Sequence, residues 1–333
     1  MPTVLGKGRA PGKAILFGEH FVVAGNAAIA MAVNLVNYVT ASIRDDLKVR
    51  INSAELGGAG VFDDTGFSPE NPAVDRRLLE PVRLATEAGL KAIDSKVGLN
   101  VDVTTNVPIS VGLGSSASVA VATIGAISCL LDRPLGRERI RELASESERL
   151  LHGNPSGIDQ TIVTNGGVIR FQREKGFMSL PTRDGFSILI GNTRVRRSTG
   201  AVVSRVLTFR DHNPARFSEL ADHVATIVDQ AELALARGDL SDLGYLMNEN
   251  QRLLVEVGAS SVELDKLITV ARDSGAFGAK LTGAGGGGCM IAVADERSRD
   301  RVTDALREHG AEVYDVSVDT IGLKSWREPD SEG

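Results

Sequence analysis

The chain has 333 residues, of which 42% are hydrophobic and 24% are charged. That length suggests about two domains, and the composition is typical of a folded protein with a sizeable core. The net charge of −6 argues against a nucleic-acid-binding protein, which needs a basic surface. Two isolated cysteines argue against a disulfide framework and a zinc cluster. The start of the chain lacks a signal-peptide pattern, and no apolar run is long enough to span a membrane, so a cytoplasmic location is expected.

Hydrophobic periodicity, taken in chain order, predicts a mixture of strands and helices and therefore an α+β fold. Apolar and β-branched runs predict strands at 14–17, 37–43, 97–105, 166–171, 186–191, 289–294 and 312–318. Apolar residues at helical spacing predict helices at 74–95, 117–131, 137–151, 215–237, 239–255, 262–274 and 297–309.

Polar segments predict the connections and the domain boundary. Residues 57–72 are rich in Gly, Asp and Pro and are predicted to form a surface loop. The polar tail, residues 325–333, is predicted to be frayed. A further polar stretch at 172–185 predicts the boundary between an N-terminal domain of residues 1–180 and a C-terminal domain of residues 181–333.

The first of three glycine-rich segments is Arg9-Ala-Pro-Gly-Lys-Ala-Ile-Leu-Phe-Gly-Glu-His20. A Pro-Gly turn places Lys13 at the mouth of a strand, and a second glycine then presents Glu19 and His20. Taken alone, this segment is equally consistent with a surface turn that carries a solvated lysine.

The second segment, Pro108-Ile-Ser-Val-Gly-Leu-Gly-Ser-Ser-Ala-Ser118, directly precedes an apolar helix. Its glycines let the backbone approach a ligand, and the first-turn N–H groups of the helix have no intrahelical partner, which favours a phosphate. Ser115 and Ser116 add hydroxyls that can bind phosphate oxygen or Mg²⁺. The segment is not a Walker A loop, because no Lys-Ser/Thr pair follows the last glycine. The alternative is a serine-capped helix behind a tight turn.

The third segment, Lys280-Leu-Thr-Gly-Ala-Gly-Gly-Gly-Gly-Cys289, runs straight into an apolar strand. This context favours a tight turn against a ligand or another backbone over a flexible linker. Between the second and third segments, Glu148 comes near the end of a helix and Asp159 precedes an apolar run. Asp159 is predicted to be partly buried with a partner, and the alternative is a helix N-cap.

Together these segments resemble the three ordered motifs of the GHMP small-molecule kinases. Within that superfamily, Gly-Glu-His-Phe-Val-Val near the start and His-Gly-Asn-Pro-Ser-Gly-Ile-Asp in the middle are similar to the mevalonate kinase family. The resemblance extends from residue 9 to about residue 290. It implies a two-domain α+β fold, with an N-terminal domain like ribosomal protein S5, a ferredoxin-like C-terminal domain and the active site between them.

The resemblance also implies roles for individual residues. The loop around the ATP phosphates would comprise Pro108, Gly112, Leu113, Gly114, Ser115, Ser116 and Ala117. Mg²⁺ would be held by Ser116 and Glu148. Asp159 would be the catalytic base and Lys13 its catalytic partner. The substrate would contact Lys13, Glu19, His20, Asp159, Thr199 and Gly285. ATP and mevalonate would be the ligands, and a homodimer is the implied assembly.

The expected reaction is transfer of the γ-phosphoryl group of ATP to (R)-mevalonate, giving (R)-5-phosphomevalonate. Another acceptor remains open: phosphomevalonate, the 3-hydroxyl of mevalonate, homoserine or a sugar. A non-catalytic ligand sensor is the alternative from another class. Such a sensor should have lost Lys13, Glu148 or Asp159, and all three are present.

Overall fold

The structure is a computed structural model that describes residues 4–152, 156–183, 185–195 and 199–330, without the side chains of Val23, Leu151 and His152. The strands are β1 (Val4–Phe17), β2 (Ala28–Arg44), β3 (Val49–Ser53), β4 (Gly58–Asp63), β5 (Gly66–Pro69), β6 (Gly98–Thr105), β7 (Val168–Gln172), β8 (Gly176–Leu180), β9 (Ser187–Asn192), β10 (Gly278–Leu281), β11 (Cys289–Val293), β12 (Glu312–Ser317) and β13 (Lys324–Pro329). The helices are α1 (Arg76–Ala92), α2 (Ser115–Leu130), α3 (Arg137–His152), α4 (Ile158–Asn165), α5 (Thr199–His212), α6 (Pro214–Arg237), α7 (Leu240–Glu256), α8 (Val262–Asp273) and α9 (Glu296–Glu308).

The first sheet has nine strands and packs against helices α1 to α4. Its main path runs β13-β1-β2-β6-β3-β4-β5, and β7 pairs with both β2 and β8. Among the strands that the structure describes, β3 and β6 are the one parallel pair. Helix α2 is buried nearly all round, as its unbroken apolar composition predicts.

The second sheet has four antiparallel strands in the order β10-β11-β9-β12. When these strands are numbered by chain order, the spatial order is 2-3-1-4, and helices follow the first and third strands. This is the ferredoxin-like arrangement, with extra helices inserted after the first strand. The expectation of a two-domain GHMP kinase fold with a ferredoxin-like second unit is confirmed.

Strands β1 and β2 lie between the two hydrophobic cores. Alternate residues of β2 face opposite ways: Ile29, Met31 and Val33 pack in the core shared with the second sheet, whereas Ala28 and Ala30 pack against the helices of the first. Burial on both faces explains why this part of β2 is apolar without a polar alternation. Residues of β1 are therefore at the junction of the two sheets.

Two sequence predictions about surface segments are wrong. Residues 57–72 contain the hairpin β4–β5, and residues 325–329 of the predicted frayed tail belong to β13, which pairs with β1 from Val4 to Arg9. Both errors have the same cause, since pairing at a sheet edge uses backbone groups and does not require an apolar side-chain pattern. The division at residue 180 stays a prediction: the chain passes from the first sheet to the second between β8 and β9, and β13 then returns to the first sheet.

The sequence patterns did not predict every element. The elements without a prediction are β3, β8, β10, α4 and α5. No helix within the described part of the chain is both long enough and apolar enough to cross a membrane.

Candidate active site

All three glycine-rich segments meet at one stretch of β1. Pairing of β1 with β13 ends at Arg9, so the next residues of β1 have an edge that no strand of the described ranges covers. The Lys13 N–H donates to the carbonyl oxygen of Leu113 in the second segment at 2.8 Å. Farther along the same edge, Thr282 of the third segment bonds to Ile15 through its side-chain hydroxyl. The first segment is therefore held by the other two.

Lys13 forms an ion pair with Asp159. The Lys13 Nζ and Asp159 Oδ1 atoms are 3.0 Å apart, and the Lys13 side chain is 6% exposed while that of Asp159 is 30% exposed. Asp159 lies in the first turn of α4, where the positive end of the helix dipole favours a carboxylate. The N-cap of α4 is Gly157, so the alternative in which Asp159 caps this helix is wrong.

Glu148 lies near this ion pair. The pKa of Glu148 is raised to about 7, mainly by burial and also by the charge of Asp159, whereas the charge of Lys13 opposes the rise. Glu148 and Ser116 line a common cavity of about 10 Å³, which is close to the space that one water molecule needs. Among the described residues, Glu148 Oε2 is buried and has no hydrogen-bond partner.

Glu148 and Ser116 have the donor chemistry that a hard cation requires. Both line one small cavity, Glu148 has a buried carboxylate oxygen with no hydrogen-bond partner among the described residues, and divalent cations prefer oxygen donors of this kind. Ser116 and Glu148, together with phosphate oxygens, would hold such an ion.

The loop from Pro108 to Gly114 opens directly into α2. Its N-cap is Gly114, which has a left-handed conformation (φ 74°) and makes no side-chain cap bond, so the alternative of a serine-capped helix is wrong. The first-turn N–H groups of α2 therefore have no side-chain cap and are available to an anion. A Cβ at Gly114 would lie 2.7 Å from Lys13 Cγ, so glycine at this position lets the loop lie against the lysine.

Asn37 on β2 positions this loop, and the sequence reading overlooked it. Its amide nitrogen donates to Ser115 at 3.4 Å, and its amide oxygen accepts from the Val107 N–H at 3.1 Å. Asn37 is fully buried. An asparagine inside a β-branched strand is the signal that could have revealed it, because a buried amide requires partners.

Glu19 and His20 lie next to the third segment. The Glu19 carboxylate forms a fully buried ion pair with Lys280 of β10, and burial is the main cause that raises the pKa of Glu19 and lowers the pKa of Lys280. His20 Nε2 donates to the carbonyl oxygen of Ala284 at 2.8 Å. These contacts join the two sheets. The expectation that both residues line the substrate pocket stays a prediction, and for Glu19 the observed partner is a lysine.

Gly285 lies within the third segment, and Thr199 begins the helix that packs against this segment. A Cβ at Gly285 would lie 2.0 Å from the carbonyl oxygen of Ala259, so the need for glycine is explained by close backbone packing. Thr199 is the exposed first residue of α5, and Val202, one turn later, packs against Gly286. Substrate contact by either residue stays a prediction. Residues 153–155 of the middle motif and Arg197 before Thr199 lie outside the described residues.

Comparison with known proteins identifies the family. Residues 80–167 match the model of the GHMP kinases N terminal domain, and residues 231–312 match that of the GHMP kinases C terminal domain. The chain is 39% identical to a mevalonate kinase of Pyrococcus horikoshii over 95% of this chain and 96% of the relative. It is 37% identical to one of Pyrococcus furiosus over the same shares.

Solved structures agree. The structure of L. major mevalonate kinase in complex with R-mevalonate is 30% identical, with a TM-score of 0.81 over 94% of this chain and 95% of that chain. The Methanococcus jannaschii mevalonate kinase is 25% identical, with a TM-score of 0.80 over 93% and 97%. Over nearly its whole length, the chain is therefore similar to mevalonate kinases both in sequence and in fold. The protein belongs to the mevalonate kinase family of the GHMP kinases.

Proposed function

We propose that this protein transfers the γ-phosphoryl group of ATP to the primary hydroxyl of (R)-mevalonate and forms (R)-5-phosphomevalonate. The observation that carries the proposal is the Lys13–Asp159 pair beside the open end of α2. The similarity to mevalonate kinases, one of them solved with R-mevalonate, supports this acceptor over homoserine or a sugar.

Phosphoryl transfer depends on positioning and charge neutralisation more than on covalent chemistry of the protein. The phosphates would lie against the N–H groups and hydroxyls at the start of α2, where the helix dipole favours an anion. Asp159 would orient the acceptor hydroxyl and accept its proton. Lys13 would place positive charge beside the oxygens that gain negative charge.

Lys13 and the acceptor hydroxyl compete for the carboxylate of Asp159, because the Lys13 ammonium lies 3.0 Å from Asp159 Oδ1. In a loose transition state the attacking hydroxyl keeps its proton until late, so Asp159 need not remove that proton early. We therefore assign to Asp159 a late proton transfer and an orienting role.

A divalent cation, when bound, would neutralise charge on the phosphate oxygens. We propose Mg²⁺ as this ion and Ser116 and Glu148 as its protein ligands, because their oxygens are hard donors on one cavity. The homodimer implied by the resemblance stays a prediction that light scattering can test.

The function is tested with purified protein, Mg-ATP and (R)-mevalonate. ADP release gives the rate and phosphorus NMR identifies the product, with (S)-mevalonate as the control acceptor. A phosphomonoester on the primary hydroxyl supports the proposal. ATP binding without turnover of (R)-mevalonate would reject this acceptor, and phosphomevalonate, homoserine and sugars would then be assayed.

Asp159→Asn tests the role of the carboxylate. We expect kcat to fall by roughly 10²- to 10⁴-fold with the KM for ATP little changed, since a general base contributes about that factor. A variant with nearly full turnover and an unchanged pH profile would remove Asp159 from the mechanism.

A further inference from the structure

The edge of β1 that carries Lys13 is completed by a side chain rather than by a strand. Beyond Arg9, β13 no longer covers this edge of β1, although residues 10–17 of β1 are all buried. The Ile15 N–H donates to Thr282 Oγ1 at 2.9 Å, and the same hydroxyl donates to the Ile15 carbonyl oxygen at 3.0 Å. One hydroxyl thus satisfies both backbone groups of Ile15, as a neighbouring strand would.

Lys13 and Ile15 share one edge of the strand. Residues two apart direct their backbone groups to the same side, so the Leu113 bond at Lys13 and the Thr282 bonds at Ile15 act on the same edge. The intervening residue, Ala14, pairs with β2 on the other side. A shift of Ile15 toward or away from Thr282 would move the backbone of Lys13 as well.

Thr282 is itself held firmly. It is fully buried, it follows β10 directly, and its N–H donates to the Cys289 carbonyl oxygen at 3.1 Å. On the other side of β10, Gln251 of α7 accepts from the Leu281 N–H at 2.9 Å. The hydroxyl therefore projects from a braced segment of the second sheet toward a strand of the first.

We propose that Thr282 is a positioning residue for phosphoryl transfer: its hydroxyl fixes the β1 edge at Ile15 and so sets the place of the Lys13 ammonium relative to Asp159. This inference rests on the proposed function for the reaction that it affects. The contact joins a strand of the first sheet to a segment of the second. The geometry of the Lys13–Asp159 pair therefore depends on the relative position of the two sheets.

Thr282→Val tests the proposal because valine keeps the shape and removes the hydroxyl. We expect kcat to fall by roughly ten- to a hundredfold, the size of effect that a small misplacement of a catalytic group causes. The KM for ATP should change by less than about threefold, because the hydrogen bonds that the substitution removes are made to Ile15 and not to the phosphate loop. Thr282→Ser, which retains the hydroxyl, should restore kcat to within about threefold of the wild type.

A matched control separates positioning from stability. Thr86→Val removes another fully buried threonine hydroxyl, which bonds to Val82 within α1 away from the site. We expect Thr86→Val to lower Tm and leave kcat of the folded enzyme unchanged. If Thr282→Val lowers Tm but keeps wild-type kcat and KM, Thr282 is merely structural and the proposal is overturned. If Thr282→Val does not fold, Thr282→Ala is held to the same criterion.

A measurement that requires no phosphoryl acceptor keeps this test separate from the test of the proposed function. Hydrogen–deuterium exchange of the peptide that contains Ile15 should be faster in Thr282→Val and unchanged in Thr86→Val, because only the first loses the acceptor of the Ile15 N–H. Unchanged exchange in Thr282→Val overturns the proposal. If the wild-type enzyme does not act on mevalonate, the proposed function fails, and the kinetic comparison is made with the acceptor that it does phosphorylate.

Discussion

Lys13 combines a short ion pair, strong burial and backbone contact with the phosphate loop. We expect Lys13→Arg to lower kcat by roughly 10²-fold, because a planar guanidinium cannot occupy the place of a compact ammonium, and removal of one preorganised donor costs about this much. Steady-state kinetics with saturating ATP measures the loss.

Lys7→Arg is the matched control for that variant. Lys7 lies on the same strand and pairs with Glu328 at 3.3 Å on the partly exposed outer part of the sheet. The Lys7→Arg variant should keep wild-type kinetics. Equal losses in both variants would show that lysine-to-arginine replacement harms the enzyme at either position of β1, and would withdraw the specific role of Lys13.

Glu148 makes the stability of the metal-free protein depend on pH. The pKa of Glu148 is about 7 in the folded protein, compared with an ordinary value of 4.5. Between pH 4.5 and about 7, the folded protein therefore keeps a proton on Glu148 that the unfolded chain has lost. The contribution of Glu148 to stability is therefore fully present below the lower value and is lost as the pH rises through the higher one.

Glu148→Gln should remove this loss. In urea unfolding with a chelator present, we expect the variant to be more stable than the wild type at about pH 8, by on the order of 1–3 kcal/mol, and the difference to vanish near pH 4 to 5. A difference that does not change with pH would contradict the assignment of this proton to Glu148.

At the scale of elements, the phosphate loop and α2 depend on close approach to β1. A Cβ at Gly114 would meet Lys13 Cγ, and its φ of 74° also disfavours any other residue. We expect Gly114→Ala to lower kcat/KM for ATP by about tenfold or more, because the loop would move away from the lysine.

Gly136→Ala is the comparison for that substitution. Gly136 precedes α3, and a Cβ there meets no heavy atom within 4 Å. Its kinetics and stability should match the wild type. A Gly114→Ala enzyme with normal ATP kinetics would show that the loop can shift without harm.

Lys280 and Glu19 link the two sheets across the whole molecule. Removal of one partner of a buried ion pair leaves the other charge without compensation, which commonly costs about 3–5 kcal/mol. We therefore expect Lys280→Met to lower the free energy of unfolding by that order in urea titrations. The double variant Lys280→Met with Glu19→Leu should recover most of the loss, because a well-packed apolar pair can replace a buried ion pair.

Arg216→Met provides the reference for a surface pair. Arg216 bonds to Glu256 on partly exposed helices, where solvent screens the interaction. The loss of unfolding free energy in Arg216→Met should be much smaller than the loss in Lys280→Met. Similar losses would mean that the buried pair contributes no more than a surface one.

The sequence alone determined the glycine-rich motifs, most helices and the candidate residues of the site. Periodicity finds elements with one long apolar face, and this is why α6, α7 and α9 were predicted nearly to their ends. The motifs predict that Lys13 and Asp159 lie in one site, because a motif specifies residue types and their order. The distance of 3.0 Å between Lys13 Nζ and Asp159 Oδ1 agrees with that expectation.

Only the tertiary structure decided what the glycines and the third segment do. That Gly285 faces Ala259, that Lys280 pairs with Glu19 and that Thr282 completes the edge of β1 are contacts between segments more than 25 residues apart. The same holds for β13, whose polar residues pair with β1 through the backbone. Local patterns record which face of an element is apolar, whereas these contacts depend on which backbone edge remains uncovered once two sheets have packed together.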